Sequence, residues 1–264
     1  MADVNILLFV GSYRKHGNTD QVVGLIREHL GHNADRYHEP LEIETLYLGD
    51  QEIGPCRGCR VCFDRGEDKC PWKDDMLPIK AKMQRADGIL VASPVYVDDV
   101  SGIVKNWIDR LAYVCHRPEF AGKCAYLVTT VAASPTSHTL RTLNLAMGTW
   151  GFYIVGQAGF RTGALMKPDE MRARYQTKTA KVAQEFFKAI HEHKYLDPSF
   201  VSLMTFKIQQ RSWLLASQDT LDYQYWNHKG WIDPRREFYI PHRASRVKVA
   251  LARLAGSVIA RFVT

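Results

Sequence analysis

Four cysteines within fifteen residues, Cys56, Cys59, Cys62 and Cys70, are the densest chemistry in this 264-residue chain, and Pro71 follows the last of them. A spacing of two residues lets successive thiolates on one short loop converge on a single inorganic centre. The bacterial ferredoxin run C-x2-C-x2-C-x3-C-P is built alike, and the later fourth Cys here lets one loop supply all four ligands of one [4Fe–4S] cluster. Three other readings stand beside it. A zinc site is one, although structural zinc usually takes two separated C-x2-C knuckles. A redox disulfide is another, disfavoured in a reducing compartment. The third is a loop that binds nothing. Cys115 and Cys124 read as small buried residues.

Two further segments have binding chemistry. Gly11-Ser12-Tyr13-Arg14-Lys15-His16-Gly17-Asn18-Thr19 joins an apolar run to a helical pattern. Its glycines permit tight turns, and Ser12, Asn18 and Thr19 are short polar donors. Asn18 or Thr19 can cap the helix, whose first N–H groups favour an anion, and Arg14 adds a charge-assisted contact to phosphate. The loop is neither a Walker A motif nor GxGxxG. Ser93-Pro94-Val95-Tyr96 is the other segment, a loop stiffened by Pro94 whose N–H groups and tyrosine can meet a planar ring.

The elements that must position these groups alternate along the chain. Strands are expected at 5–11, 42–48, 88–93, 124–130 and 153–158. Helices are expected at 19–31 with Gly31 as the stop, at 74–85, 102–114, near 138–148, and at 168–194. Connections too long for hairpins argue for a parallel sheet covered on both faces. Five strands in this alternation fit the flavodoxin-like, doubly wound order 2-1-3-4-5, in which ligands gather beyond the carboxyl ends of the strands. The segments after the first four strands then share one rim.

Residues 1–195 read as that α/β domain, carrying the Cys-rich loop 56–70. Residues 196–264 read as an aromatic-rich, basic, mainly helical extension. Its rings, among them Phe200, Phe206, Trp213, Trp226 and Trp231, point to packing in a core or subunit interface. The net charge of +7 is concentrated there: residues 235–264 hold seven Lys and Arg against Glu237 alone. The last segment, 245–264, patterns as an amphipathic helix with Val247, Leu251, Leu254, Val258 and Phe262 in one stripe. Docking on this or a neighbouring subunit is the first expectation, and peripheral contact with an anionic membrane the second. Nucleic-acid binding is not expected, because the basic residues follow no recognised motif. The apolar runs are too short for a signal peptide or a membrane span, so a cytoplasmic setting is expected. The histidines show no metal spacing: His16 reads as a solvated loop residue, and His191 and His193 lie two apart on one helix.

The combination is more specific than its parts. GSYRKHGNT after the first strand, the cysteines ahead of Asp74-Asp75-Met76, and SPVY followed by Lys105 and Asp109-Arg110 resemble the NAD(P)H-dependent FMN oxidoreductases of the flavodoxin superfold. The similarity is greatest to their iron–sulfur flavoprotein branch and covers residues 5–190. It implies that Ser12, Arg14, Asn18 and Thr19 hold the FMN phosphate, and that Pro94, Val95 and Tyr96 lie along the isoalloxazine ring. Thr130 and the loop after the fourth strand would close the other side, and Cys56, Cys59, Cys62 and Cys70 would ligate the cluster. NAD(P)H would be the co-substrate and a small molecule or protein the electron acceptor. A homo-oligomer, dimer or tetramer, is expected. Relatives without a cluster keep some of these cysteines, so a cluster-free NAD(P)H reductase of quinones, nitro compounds or flavin is the second function. A non-catalytic flavin electron carrier is the third. No general acid or base is nominated, because hydride transfer to a flavin needs none.

Overall fold

The computed structural model describes residues 4–192 and 197–263. Strand β1 (Val4–Val10) is an apolar run in which Ile6 to Val10 are all buried, as expected of a central parallel strand covered on both faces. In chain order follow α1 (Asn18–Tyr37), β2 (Leu41–Tyr47), the single turn α2 (Val61–Asp64) and α3 (Met76–Arg85). Then come β3 (Gly88–Tyr96), β4 (Asp99–Val100), α4 (Gly102–Arg110), β5 (Cys124–Val131), α5 (Ser137–Thr149), β6 (Tyr153–Arg161) and α6 (Pro168–His191). Helices α7 (Phe200–Leu215), α8 (Leu221–His228) and α9 (Arg246–Val263) complete the chain.

Five strands run parallel in the order β2-β1-β3-β5-β6, the expected flavodoxin-like topology, and β4 pairs antiparallel with the end of β3. Helices cover both faces. On one, Met76 and Met83 of α3, Trp107 of α4 and Met147 of α5 pack on Leu7, Val91 and Leu127. On the other, Val22 and Ile26 of α1 and Val182 and Phe186 of α6 pack on Leu8, Leu90 and Val128.

Several boundaries differ from expectation. Gly31 does not stop α1, which continues to Tyr37 and ends where His38 turns left-handed (φ 52°). Leu30 and Ala34 carry the buried face past Gly31, so packing outweighs the ~1 kcal/mol that a mid-helix glycine costs. Neither Asn18 nor Thr19 caps the helix: Gly17 is the cap residue, with no side-chain bond. Strand β3 runs on through the SPVY segment because β4 folds back on it. The helix expected at 102–114 breaks after Arg110 into the 3-10 turn Ala112–Cys115. The end of the 168–194 helix, the 195/196 boundary and His193 lie outside the described residues.

The extension packs round its own aromatic cluster of Phe206, Trp226, Trp231 and Tyr239. Trp226 donates to the His116 carbonyl at 2.7 Å, and Gln209 to that of Cys115 at 2.6 Å, docking the extension on the turn after α4. The expected stripe does not dock α9 on its own chain, since Val247, Leu251, Leu254, Val258 and Phe262 are exposed there. Val249, Ala252, Gly256 and Ala260 are buried instead, and a Cβ on Gly256 would come within 2.8 Å of the Met204 carbonyl of α7. Small residues permit this close approach, so they take the contact. Among the described residues no helix is long and apolar enough to cross a membrane.

Candidate flavin and cysteine site

The loop between β1 and α1 is pressed against β3. Gly11 donates to the Ala92 carbonyl at 2.8 Å, and a Cβ there would sit 2.2 Å from Val104 Cγ2 and 3.0 Å from that carbonyl oxygen. The close approach requires glycine. Buried Ser12 accepts from the Arg14 N–H at 3.1 Å, while the Arg14 side chain is exposed. His16, exposed as expected, adopts φ 59° and donates its N–H to Asp20 at 2.7 Å. The turn therefore delivers the uncapped first turn of α1 to the rim, where its N–H groups and the helix dipole favour an anion.

Asn18 and Thr19 serve this loop by bracing it. The Asn18 amide donates to Thr162 Oγ1 at 2.8 Å and the Gly163 carbonyl at 3.1 Å, and its oxygen accepts from the Met166 N–H at 2.9 Å. It thus clasps the segment after β6. Thr19 meets Thr130 of β5 hydroxyl to hydroxyl at 2.6 Å, both buried. Four of the anticipated residues, Ser12, Asn18, Thr19 and Thr130, so fall in one contiguous region.

Pro94 is buried, Val95 half-buried and Tyr96 half-exposed at the end of β3. Val97 and Asp98 both take positive φ (48° and 65°), forming the tight reversal into β4. Ser101, opening α4, accepts nothing at its cap but donates its hydroxyl to the Gly11 carbonyl at 2.7 Å, and its N–H goes to Ser93 Oγ at 3.1 Å. Hairpin and anion loop are therefore one bonded unit.

All four cysteines of the 56–70 loop line one mostly apolar cavity of about 130 Å³, with Trp72 and Asp109 also on its wall. Gly58 and Arg60 both take φ 62°, and these left-handed residues curl the chain between the first three cysteines. Burial pushes the Cys62 thiol up, and Cys56 and Cys70 beside it add to the shift. All six cysteines are free thiols. Cys124 is buried, which pushes its thiol up to about 12, while Cys115 is half-buried against Thr149. Among the described residues no three His, Cys, Asp or Glu side chains are placed to hold a single metal ion.

Helix α4 holds the cysteine loop in place. Asn106 accepts from the Cys56 N–H at 3.1 Å and donates to the Ile53 carbonyl at 2.9 Å. Buried Arg110 donates to Asp74 with both terminal nitrogens (2.5 and 3.1 Å), to the Gly54 carbonyl at 2.8 Å and to Cys70 Sγ at 3.7 Å. Burial alone would push the Asp74 carboxyl up. The Arg110 bonds and the N–H groups of Gly54 and Met76 outweigh it and hold the carboxyl below its ordinary range. Trp72 donates to the Pro55 carbonyl at 2.8 Å and covers Gly54 closely enough to exclude a side chain there. Asn106, Trp72 and the Asp74–Arg110 pair were not anticipated as structural partners. The one available signal was the i, i+4 spacing of Asn106 and Arg110 on one helix face.

A doubly wound parallel sheet with a glycine-gated anion loop after its first strand is the architecture of flavodoxin-like oxidoreductases. Residues 4–164 match the NADPH-dependent FMN reductase family, and the chain belongs to it. It is 27% identical over 227 residues to an iron-sulfur flavoprotein of Archaeoglobus fulgidus, covering 84% of this chain and 97% of the relative. It is 30% identical over 164 residues to the iron-sulfur flavoprotein of Methanosarcina thermophila, covering 61% and 81%. Among solved structures, the flavoenzyme NAD(P)H:(acceptor) oxidoreductase FerB of Paracoccus denitrificans shares the fold, with TM-score 0.52 and 16% identity over 72% of this chain and 98% of that one. The protein is therefore an FMN oxidoreductase.

Proposed function

We propose that electrons from NAD(P)H pass by way of FMN to a [4Fe–4S] cluster on Cys56, Cys59, Cys62 and Cys70, and then to a small-molecule or protein acceptor. One observation carries the reading: α4, nine residues and so ~13.5 Å long, is bonded to the flavin loop at its start and to the cysteine loop at its end. When bound, FMN supplies hydride acceptance and single-electron release, which suits a one-electron centre nearby.

The chain's own residues divide the work. Ser12, Arg14 and the first turn of α1 receive the phosphate, while Asn18 and the Thr19–Thr130 pair fix where that turn ends. Pro94, Val95 and Tyr96 line the ring, at a spacing set by the Ser101–Gly11 bond. The four thiols line a mostly apolar cavity, Cys62 and Cys70 half-buried and Cys56 and Cys59 exposed. Arg110 offers a charge-assisted N–H to Cys70, the kind of bond to sulfur that tunes a cluster's potential.

A cluster-free NAD(P)H reductase is the second reading. Anaerobic purification with iron and flavin quantitation decides between the two. About four irons and one flavin per chain are expected, with iron lost and flavin kept in Cys59→Ser. A yellow, iron-free wild type selects the second reading.

A further inference from the structure

Helix α9 has two apolar faces, and among the described residues only one is covered. Val249 and Ala252 pack with Leu203 of α7, Gly256 lies against Met204 and Lys207 of the same helix, and Ala260 is buried. The larger residues Val247, Leu251, Leu254, Val258 and Phe262 face outward within about 80° of arc at 3.6 residues per turn. The usual polar side of an amphipathic helix is thus replaced by the protein body, and the helix is presented with its greasiest side to solvent. By the same geometry Arg246 and Arg261 lie along one flank of the stripe and Lys248 along the other. Arg253 is occupied with the Arg236 and Pro234 carbonyls, and Lys248 with Asp197 at 2.7 Å. No Asp or Glu occurs anywhere in the helix.

We propose that α9 docks this protein on an anionic lipid bilayer surface. The stripe enters the boundary between headgroups and acyl chains, while the Arg246 and Arg261 side chains extend to lipid phosphates. Charge complementarity selects this occupant over a second copy. Pairing two stripes about a two-fold axis would bring together the exposed Arg246 and Arg261 of both copies, with no carboxylate on either helix. An anionic leaflet supplies the missing counter-charge, at about fivefold in partition per cation. The proposal does not depend on the chemistry at the flavin rim.

The test is co-sedimentation of the full chain with phosphatidylcholine vesicles, with and without about 30% phosphatidylglycerol. Binding is expected only to the anionic vesicles and is expected to weaken in high salt. The exposed double substitution Leu251→Glu/Val258→Glu should abolish it. Arg246→Gln/Arg261→Gln should weaken it about 25-fold. Flavin absorbance verifies that each variant is folded, and light scattering gives its mass. Wild type that ignores anionic vesicles, or that binds them no better than the stripe variant, overturns the proposal. So does a stripe variant that falls from an oligomer to a smaller mass while wild type binds no lipid, an outcome that assigns the stripe to a second copy.

Discussion

Arg110 and Asp74 join α4 to the start of α3 across the base of the cysteine loop, both side chains almost out of contact with water. Because the folded Asp74 carboxyl lies below its ordinary value, the pair stabilises fully above about pH 4 and that stabilisation is lost as pH falls through the folded value. Asp74→Asn should cost about 3 kcal/mol at neutral pH, since it leaves Arg110 buried without its charge partner. It should also flatten the acid limb of stability, which denaturant melts at pH 7 and below pH 4 will read. At the flavin loop, Gly11→Ala must displace Val104 or the β3 backbone. A loss of roughly 1–3 kcal/mol is expected from overpacking, together with weaker FMN retention by fluorescence titration; unchanged binding and melting would contradict the tight approach. Residue types and spacing singled out the cysteines, Ser12 and the SPVY segment as candidates. Arg110 with Asp74, and Asn106 with Cys56, were not legible because each pair is separated by tens of residues and meets only once the helix is laid on the sheet.

At the scale of elements, the hairpin from β3 into β4 holds Val97 in a left-handed conformation that suits Asn or Gly and strains a β-branched side chain. Its side chain is fully exposed and packs on nothing. Val97→Asn should therefore raise stability by about 1 kcal/mol, with a corresponding rise in Tm. Unchanged melting would mean that the turn relaxes without cost. The same hairpin shows where local pattern fails. Proline and the tyrosine after it suggest a loop, but pairing with Asp99 and Val100 extends the strand. Gly31 misleads in the same way, because its helical neighbours bury enough surface to override the local preference. The five parallel strands were legible because continuous apolar runs between helical patterns have few other folds available to them.

At the scale of the molecule, the extension buttresses the cysteine loop. Asp222 of α8 meets His116 at 2.8 Å and Arg117 at 3.3 Å, and Arg117 in turn donates to the Cys62 carbonyl at 2.6 Å. Trp226 is fully buried at that junction, so Trp226→Ala should cost about 3–5 kcal/mol and, under the proposed function, loosen iron before flavin. Thermal melting with iron and flavin release followed in parallel will test the order. The aromatic richness of the extension announced a core. Its docking on the turn after α4 was not legible: Trp226 and Gln209 bond backbone carbonyls there, which no side-chain pattern encodes, and Asp222 meets His116 and Arg117 from more than a hundred residues away. Under the proposed function the flavin and the four cysteines work as one unit. Anaerobic NADPH titration of the iron-loaded protein, followed by electron paramagnetic resonance, measures this directly. The prediction is a reduced-cluster signal approaching about one spin per chain as the flavin bleaches, absent from Cys62→Ser. Complete bleaching with no such signal, in protein that retains its iron, would contradict it.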